Sequence, residues 1–227
     1  MRELQQLAMP LSKSQIEAAV RFWDENGGWE TNDINQLKRV FPEPQDAVRI
    51  KAIVLNALYG TNIIAISQVA DCVEQVLKAN HSTSPALVEE MVAEIWHVTK
   101  RHDYSFSAKY AHFFISPNLP ILDWYAEWMV GKHLGSFTSD NPKRYLKFAE
   151  DIETLKKMAG LTCNCAELDA YLWVAGEYWY WKAHPRTNVS GELRPHFQLV
   201  EDPKNAPTLA ALLGIGVTAV NALPIPL

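Results

Sequence analysis

Apolar residues along this chain recur at helical rather than strand spacing. Ser14 with Glu17 forms a capping-box pattern ahead of Ile16, Ala19, Val20 and Trp23, which share one helical face, and Gly27-Gly28 marks the predicted stop. A second apolar helix is predicted after Pro44, through Val48, Ala52 and Leu55 to Leu58, until Gly60-Thr61-Asn62 breaks it. The next carries Ile66, Val69, Ala70, Val73 and Leu77. Ser84-Pro85 opens another, with Leu87, Met91, Ile95 and Val98 on one face. A short helix over 106–114 ends before Pro117, and Asp123 begins one that reaches about His133. Residues 142–159 form a further helix stopped by Gly160. Asn164 with Glu167 gives a second box-like start, leading to Leu168, Leu172, Ala175 and Trp179. The stretch from His184 to Pro207 reads as loop, followed by an apolar tail. No alternating strand pair, internal repeat or low-complexity tract appears. The pattern predicts an all-α, single multi-helix globular domain, with an N-terminal helical extension over 1–43, a core over 44–183, and a loop and apolar tail over 184–227.

At 227 residues the chain is long enough for one sizeable core, and its 48% hydrophobic content excludes a disordered protein. The most apolar stretch, 209–223, is short and broken by Gly214 and Gly216, so no membrane span is expected. The N-terminus lacks the cationic start and apolar run of a signal peptide. Cys72, Cys163 and Cys165 are an odd count, and free thiols in a reducing cytoplasm are the simplest reading.

The net charge of −5 is uneven: residues 1–99 hold 8 basic and 13 acidic side chains, and residues 100–227 hold 13 of each. Phosphate binding depends on a local cationic face rather than on the total. Lys100, Arg101, Lys143, Arg144 and Lys147 are the candidates for the DNA backbone, with Lys109, Lys156 and Lys157 in the same half; each is equally readable as part of a solvated helix face.

Familiar chemical motifs are missing. Neither a GxxxxGK[ST] nor a GxGxxG phosphate loop occurs, nor HExxH, GxSxG or a pair of CxxC motifs. Cys163-x-Cys165 has no second cysteine pair to complete a tetrahedral set, and His97, His102 and His112 lack ligand spacing, so no metal or other cofactor is expected.

The informative stretch is 105–130, SFSAKYAHFFISPNLPILDWYAEWMV. A lysine sits in a short apolar helix, a proline-bounded loop follows, and an aspartate opens the next helix. Lys109 and Asp123 lie 14 positions apart, and antiparallel helices with a short connection would bring the amine to the start of the second helix. In a partly dry pocket the carboxylate can take the ammonium proton. The free amine can then attack a sugar C1′ as an N-glycosidic bond breaks, while the carboxylate stabilises positive charge on the sugar. The spacing alone equally allows Asp123 as a helix cap and Lys109 as a snorkelling surface lysine.

This stretch resembles the catalytic segment of the helix-hairpin-helix DNA glycosylases, in particular their 8-oxoguanine-glycosylase-like branch. Lys109-Tyr110-Ala111 stands where that superfamily has its Lys-x-Ala, and Pro120-Ile121-Leu122-Asp123 where it has Pro-x-x-Asp. Residues 54–62, VLNALYGTN, are similar to the family's helix and lesion-facing loop, and 168–173, LDAYLW, to a closing helix. The resemblance spans 45–180 loosely and 109–123 specifically. It departs from the family at 103–107, DYSFS, which holds no glycine where a phosphate-gripping hairpin belongs, in its shorter Lys-to-Asp spacing, and in lacking the cluster-binding cysteines of some members. Leu212-Leu213-Gly214-Ile215-Gly216-Val217-Thr218-Ala219 is hairpin-like, or else an apolar tail packed on the domain or a second subunit.

The resemblance implies a glycosylase that excises a damaged or modified base from DNA, with Lys109 as Schiff-base nucleophile and Asp123 as general base. It implies abasic-site lyase activity too. Trp124, Tyr125 and Trp173 supply stacking faces for an extruded base, and Asn62 is a candidate to probe the gap left behind or, equally, to cap the helix that follows. Two other readings share these residues: a non-catalytic module binding modified bases or single-stranded ends, and a helical protein-interaction domain whose tail docks a partner.

Overall fold

The computed structural model describes residues 11–26, 29–135, 143–184, 193–200 and 202–215, with 29–31 described by backbone alone. The described residues are helical, with no strand among them. In chain order the helices are α1 (Lys13–Asn26), α2 (Trp29–Val40), α3 (Val48–Leu58), α4 (Ile66–Ala79), α5 (Ala86–Thr99), α6 (Tyr104–Phe114), α7 (Trp124–Leu134), α8 (Arg144–Met158), α9 (Cys165–Ala183), α10 (Arg194–Leu199) and α11 (Pro207–Leu213). The all-α expectation therefore holds. No described helix is long and apolar enough to cross a membrane.

Two compact units can be distinguished, one built from residues 28–124 and 138–150, the other from 1–27, 125–137 and 151–227. The first unit packs α3 against α4, α4 against α5, and both α3 and α5 against α6. Its core gathers Leu55, Val73, Leu87, Met91, Ile95 and Phe106, each buried. These residues are the apolar stripes of their helices, so burying the stripes is what assembles the unit. Val98, expected on the buried face of α5, is 45% exposed instead, because the helix ends at Thr99 and its last turn leaves the core.

A second layer of polar anchors places the loops of this unit. The Asn56 carboxamide oxygen accepts from the Thr61 hydroxyl (2.6 Å) and the Ile63 amide (3.0 Å), and its nitrogen donates to the Ile63 carbonyl (3.2 Å). That holds the turn after α3, where Gly60 and Asn62 both take left-handed backbone angles. Glu89, on α5, accepts from the Tyr145 and Leu146 amides at 2.7 and 3.1 Å and from the Tyr104 hydroxyl at 3.1 Å. One carboxylate thus satisfies the unpaired amides that open α8 and ties down the first residue of α6.

In the other unit α1 packs against α9 and α11. The first helix is capped by Ser12 and Gln15, not by Ser14 and Glu17: the Ser12 hydroxyl accepts from the Gln15 amide and the Gln15 carbonyl oxygen accepts from the Ser12 amide. Glu17 pairs with Lys13 on the surface. Gln15 is buried and donates to the Leu212 carbonyl at 3.2 Å, which selects this frame over the one two residues later. The Asn164–Glu167 box forms as expected. Gly176 lets α9 approach the Tyr125 backbone so closely that a Cβ there would lie 2.5 Å from the Tyr125 carbonyl oxygen. Two helices were not expected. α2 has few apolar residues and buries chiefly Ile34; α10 buries Phe197, with Leu193 and Val200 buried at its two ends, within a stretch that reads as loop. The apolar tail packs as α11 with Leu209, Ala210, Leu212 and Leu213 buried. Of the hairpin-like sequence only 212–215 is described, and the Gly27-Gly28 stop lies outside the described residues.

Candidate functional site

α6 is apolar almost all round and its residues from Phe106 to His112 are buried, Lys109 among them with 7% of its surface exposed. A lysine so enclosed needs partners for its amine. Its Nζ donates to the Ser105 hydroxyl at 2.9 Å, one helical turn earlier, and lies 3.5 Å from the Asp123 carboxylate. The two side chains of this ion pair retain only 9% and 12% exposure. The amine also sits over the Tyr59 ring, 5.8 Å from its centroid, and that ring stacks on Phe113 at 5.2 Å. The convergence anticipated from the 14-residue spacing is present.

The segment between the two residues is pinned from both sides. His112 Nδ1 donates to the Leu119 carbonyl at 2.8 Å, so the ring carries its proton on that nitrogen. Burial holds its pKa below the ordinary 6.5, with Lys38 adding to the fall and the carbonyl opposing it. The Tyr145 hydroxyl donates to the Pro120 carbonyl at 2.8 Å. Asp123 directly precedes α7.

The remaining predicted site residues are dispersed. Asn62 is exposed, and its side chain donates to the Gly60 carbonyl at 2.8 Å. It does not cap α4, which begins at Ile66 after Ala65 with no side-chain cap. Trp124 is 56% exposed. Tyr125 and Trp173 belong to the other unit, where Tyr125 meets the Tyr180 ring edge-on at 6.1 Å and Trp173 meets Trp23 at 5.3 Å. Both rings are thus engaged in packing contacts. Lys100 takes a left-handed conformation at the end of α5, its amine 4.5 Å from the Trp96 ring centroid. Arg101 pairs with Asp103 at 3.1 Å, and the Arg144 guanidinium lies over the Tyr104 ring at 5.5 Å. Lys143 is exposed and Lys147 half-buried, both at the start of α8. Lys156 pairs with Glu153.

Ser105 and Tyr59 were not singled out from sequence. The i−4 spacing of Ser105 from Lys109 was a usable signal; the approach of Tyr59 from α3 was not. Among the described residues no group of three or more potential ligand side chains gathers as a metal site. Cys72, Cys163 and Cys165 form no disulfide, and burial pushes the Cys165 thiol up to about 11.

A family model described only as an N-terminal domain matches residues 15–119, a span that includes Ser105 and Lys109 and stops short of Asp123. No curated protein and no solved structure matches the chain.

Proposed function

We propose that this chain acts on DNA as a base-excising glycosylase with abasic-site lyase activity, using Lys109 and Asp123. The observation that supports it is the meeting of a buried amine and a carboxylate at 3.5 Å on a helix and loop held in place by independent hydrogen bonds. For catalysis the pair closes by a few tenths of an ångström to proton-transfer distance. Asp123 takes a proton from the Lys109 ammonium, and the amine lone pair forms a bond to C1′ as the C1′–base bond breaks. The base departs with the bonding pair and takes up the proton held by Asp123. Asp123, its proton given to the base, takes the second amine proton and returns it to O4′ as the C1′–O4′ bond opens, which leaves a protonated imine. Loss of a C2′ proton then forms the C2′–C3′ double bond, and the 3′ phosphate departs with the C3′–O bonding pair. Ser105 is a positioning residue: its hydroxyl aims the amine.

Shielding of the pair also favours a second reading, in which the same scaffold binds modified bases without cutting, because a side chain one-tenth exposed must be uncovered before it meets a sugar. Borohydride trapping separates the two. With duplexes carrying an abasic site or 8-oxoguanine, borohydride reduces the imine to a stable amine, and a covalent protein–DNA adduct is expected that Lys109→Gln abolishes. Asp123→Asn is expected to slow its formation by roughly 10²–10⁴-fold. An adduct that persists in Lys109→Gln, or none with either lesion, overturns the catalytic reading.

A further inference from the structure

Beside the lysine site, the same unit carries an aromatic column at its surface. The rings of Trp96 and His102 lie nearly parallel, 18° between planes and 6.2 Å between centroids, and those of His102 and Tyr104 continue at 29° and 6.2 Å. Trp96 is 38% exposed and His102 is exposed, so these are not core contacts. Cations bracket the column: the Lys100 amine lies over the Trp96 ring at one end and the Arg144 guanidinium over the Tyr104 ring at the other.

Two features separate this patch from an ordinary solvated face. The acids within it are turned away: Asp103 is buried and paired with Arg101, and Glu89 is occupied by the Tyr104 hydroxyl and the α8 amides. Lys100 also sits in a left-handed conformation at a helix end where glycine is the usual, unstrained choice, and its side chain is then laid across an indole.

We infer that Trp96, His102 and Tyr104 form a stacking platform for single-stranded nucleic acid, with the flexible Lys100 and Arg144 side chains moving off the two end rings to meet the backbone phosphates as bases take their place. Unpaired bases offer π-faces that a duplex keeps buried, and alternating aromatic and cationic side chains are the combination that holds them without reading sequence. A duplex presents only phosphates to this surface. The platform does not depend on Lys109 chemistry.

The test uses the full chain and a short fluorescein-labelled oligo-dT, free or annealed to oligo-dA, read by fluorescence anisotropy. Tighter binding of the single strand is expected, weakening with salt. Trp96→Ala and His102→Ala should each raise Kd about 5- to 100-fold, while Trp96→Phe keeps most of the affinity. Far-ultraviolet circular dichroism checks that each variant is folded; should Trp96→Ala fail to fold, His102→Ala and Trp96→Phe still decide. Binding is read on the wild-type chain, so a failed borohydride trap with intact oligonucleotide binding refutes only the excision chemistry. Absence of single-strand binding, preference for the duplex, or folded ring variants within twofold of wild type overturns the platform.

Discussion

Replacing Lys109 by Met and Asp123 by Asn, singly and together, measures what the pair contributes to folding before any activity is assayed. At 3.5 Å and an effective dielectric of about 20, the Coulomb attraction is roughly 5 kcal/mol. Enclosing both charges costs several kcal/mol each, so the intact pair comes out near neutral overall. Breaking it is another matter, because the remaining charge loses this partner after its desolvation has already occurred. Lys109→Met leaves the carboxylate without its ammonium, and a loss of about 2–4 kcal/mol is expected. Asp123→Asn should cost about 2 kcal/mol, nearer the lower bound, since the ammonium keeps the Ser105 hydroxyl and the Tyr59 ring. The double variant removes both charges and should lie within about 2 kcal/mol of wild type, giving a coupling of roughly 2–4 kcal/mol. Urea unfolding followed by far-ultraviolet circular dichroism supplies the four free energies. A coupling below about 0.5 kcal/mol would show that the two side chains do not form a shielded pair, and the excision chemistry would lose its geometric basis.

Two further predictions concern the frame around the site. His112 is held below its ordinary pKa, so the unfolded chain takes up the proton first as pH falls. Its contribution to stability is full above about pH 6.5 and is lost progressively below it, towards the folded-state pKa. The stability gap between wild type and His112→Asn should therefore narrow between about pH 7.5 and about pH 5.5, and a constant gap would refute a neutral buried imidazole. Gly176→Ala, which in an open helix would stabilise by about 1 kcal/mol, should here lower the thermal midpoint by roughly 4–12 °C, because the new methyl meets the Tyr125 carbonyl oxygen at 2.5 Å. An unchanged or raised midpoint would mean that α9 does not approach that backbone.

Helices with a continuous apolar stripe were legible from sequence: α4 follows its apolar spacing and the beginning of α9 its capping box. α2 was not, since a helix that buries chiefly Ile34 has no stripe to read, and α10 was hidden by Pro195, which occupies a first-turn position where proline does no harm. Local signals also failed where two frames competed. Ser12–Gln15 and Ser14–Glu17 are equally good boxes, and only the distant Leu212 carbonyl distinguishes them. Within the site, the Lys109–Asp123 meeting was legible because a short loop constrains it. Glu89 reaching the α8 amides and Tyr145 reaching Pro120 link residues 56 and 25 positions apart, which no local pattern encodes. Aromatic residues were hard to read for a related reason: composition supplied rings, but not that Trp173 meets Trp23 and Tyr125 meets Tyr180.

The anchors of the loop decide how any loss of activity should be interpreted. Asp123 is brought to Lys109 by two carbonyl contacts, Leu119 to His112 and Pro120 to Tyr145, neither of which involves the ion pair. His112 lies on the helix that carries Lys109, so the acid is registered against the same rigid element as the amine. Asp123→Asn therefore removes the charge while both anchors persist, and a slower trap in that variant reports on proton transfer. Tyr145→Phe does the reverse, keeping the carboxylate while freeing its tether. If the pair works because it is held in register, Tyr145→Phe must slow adduct formation as well, although it alters no group that touches the sugar.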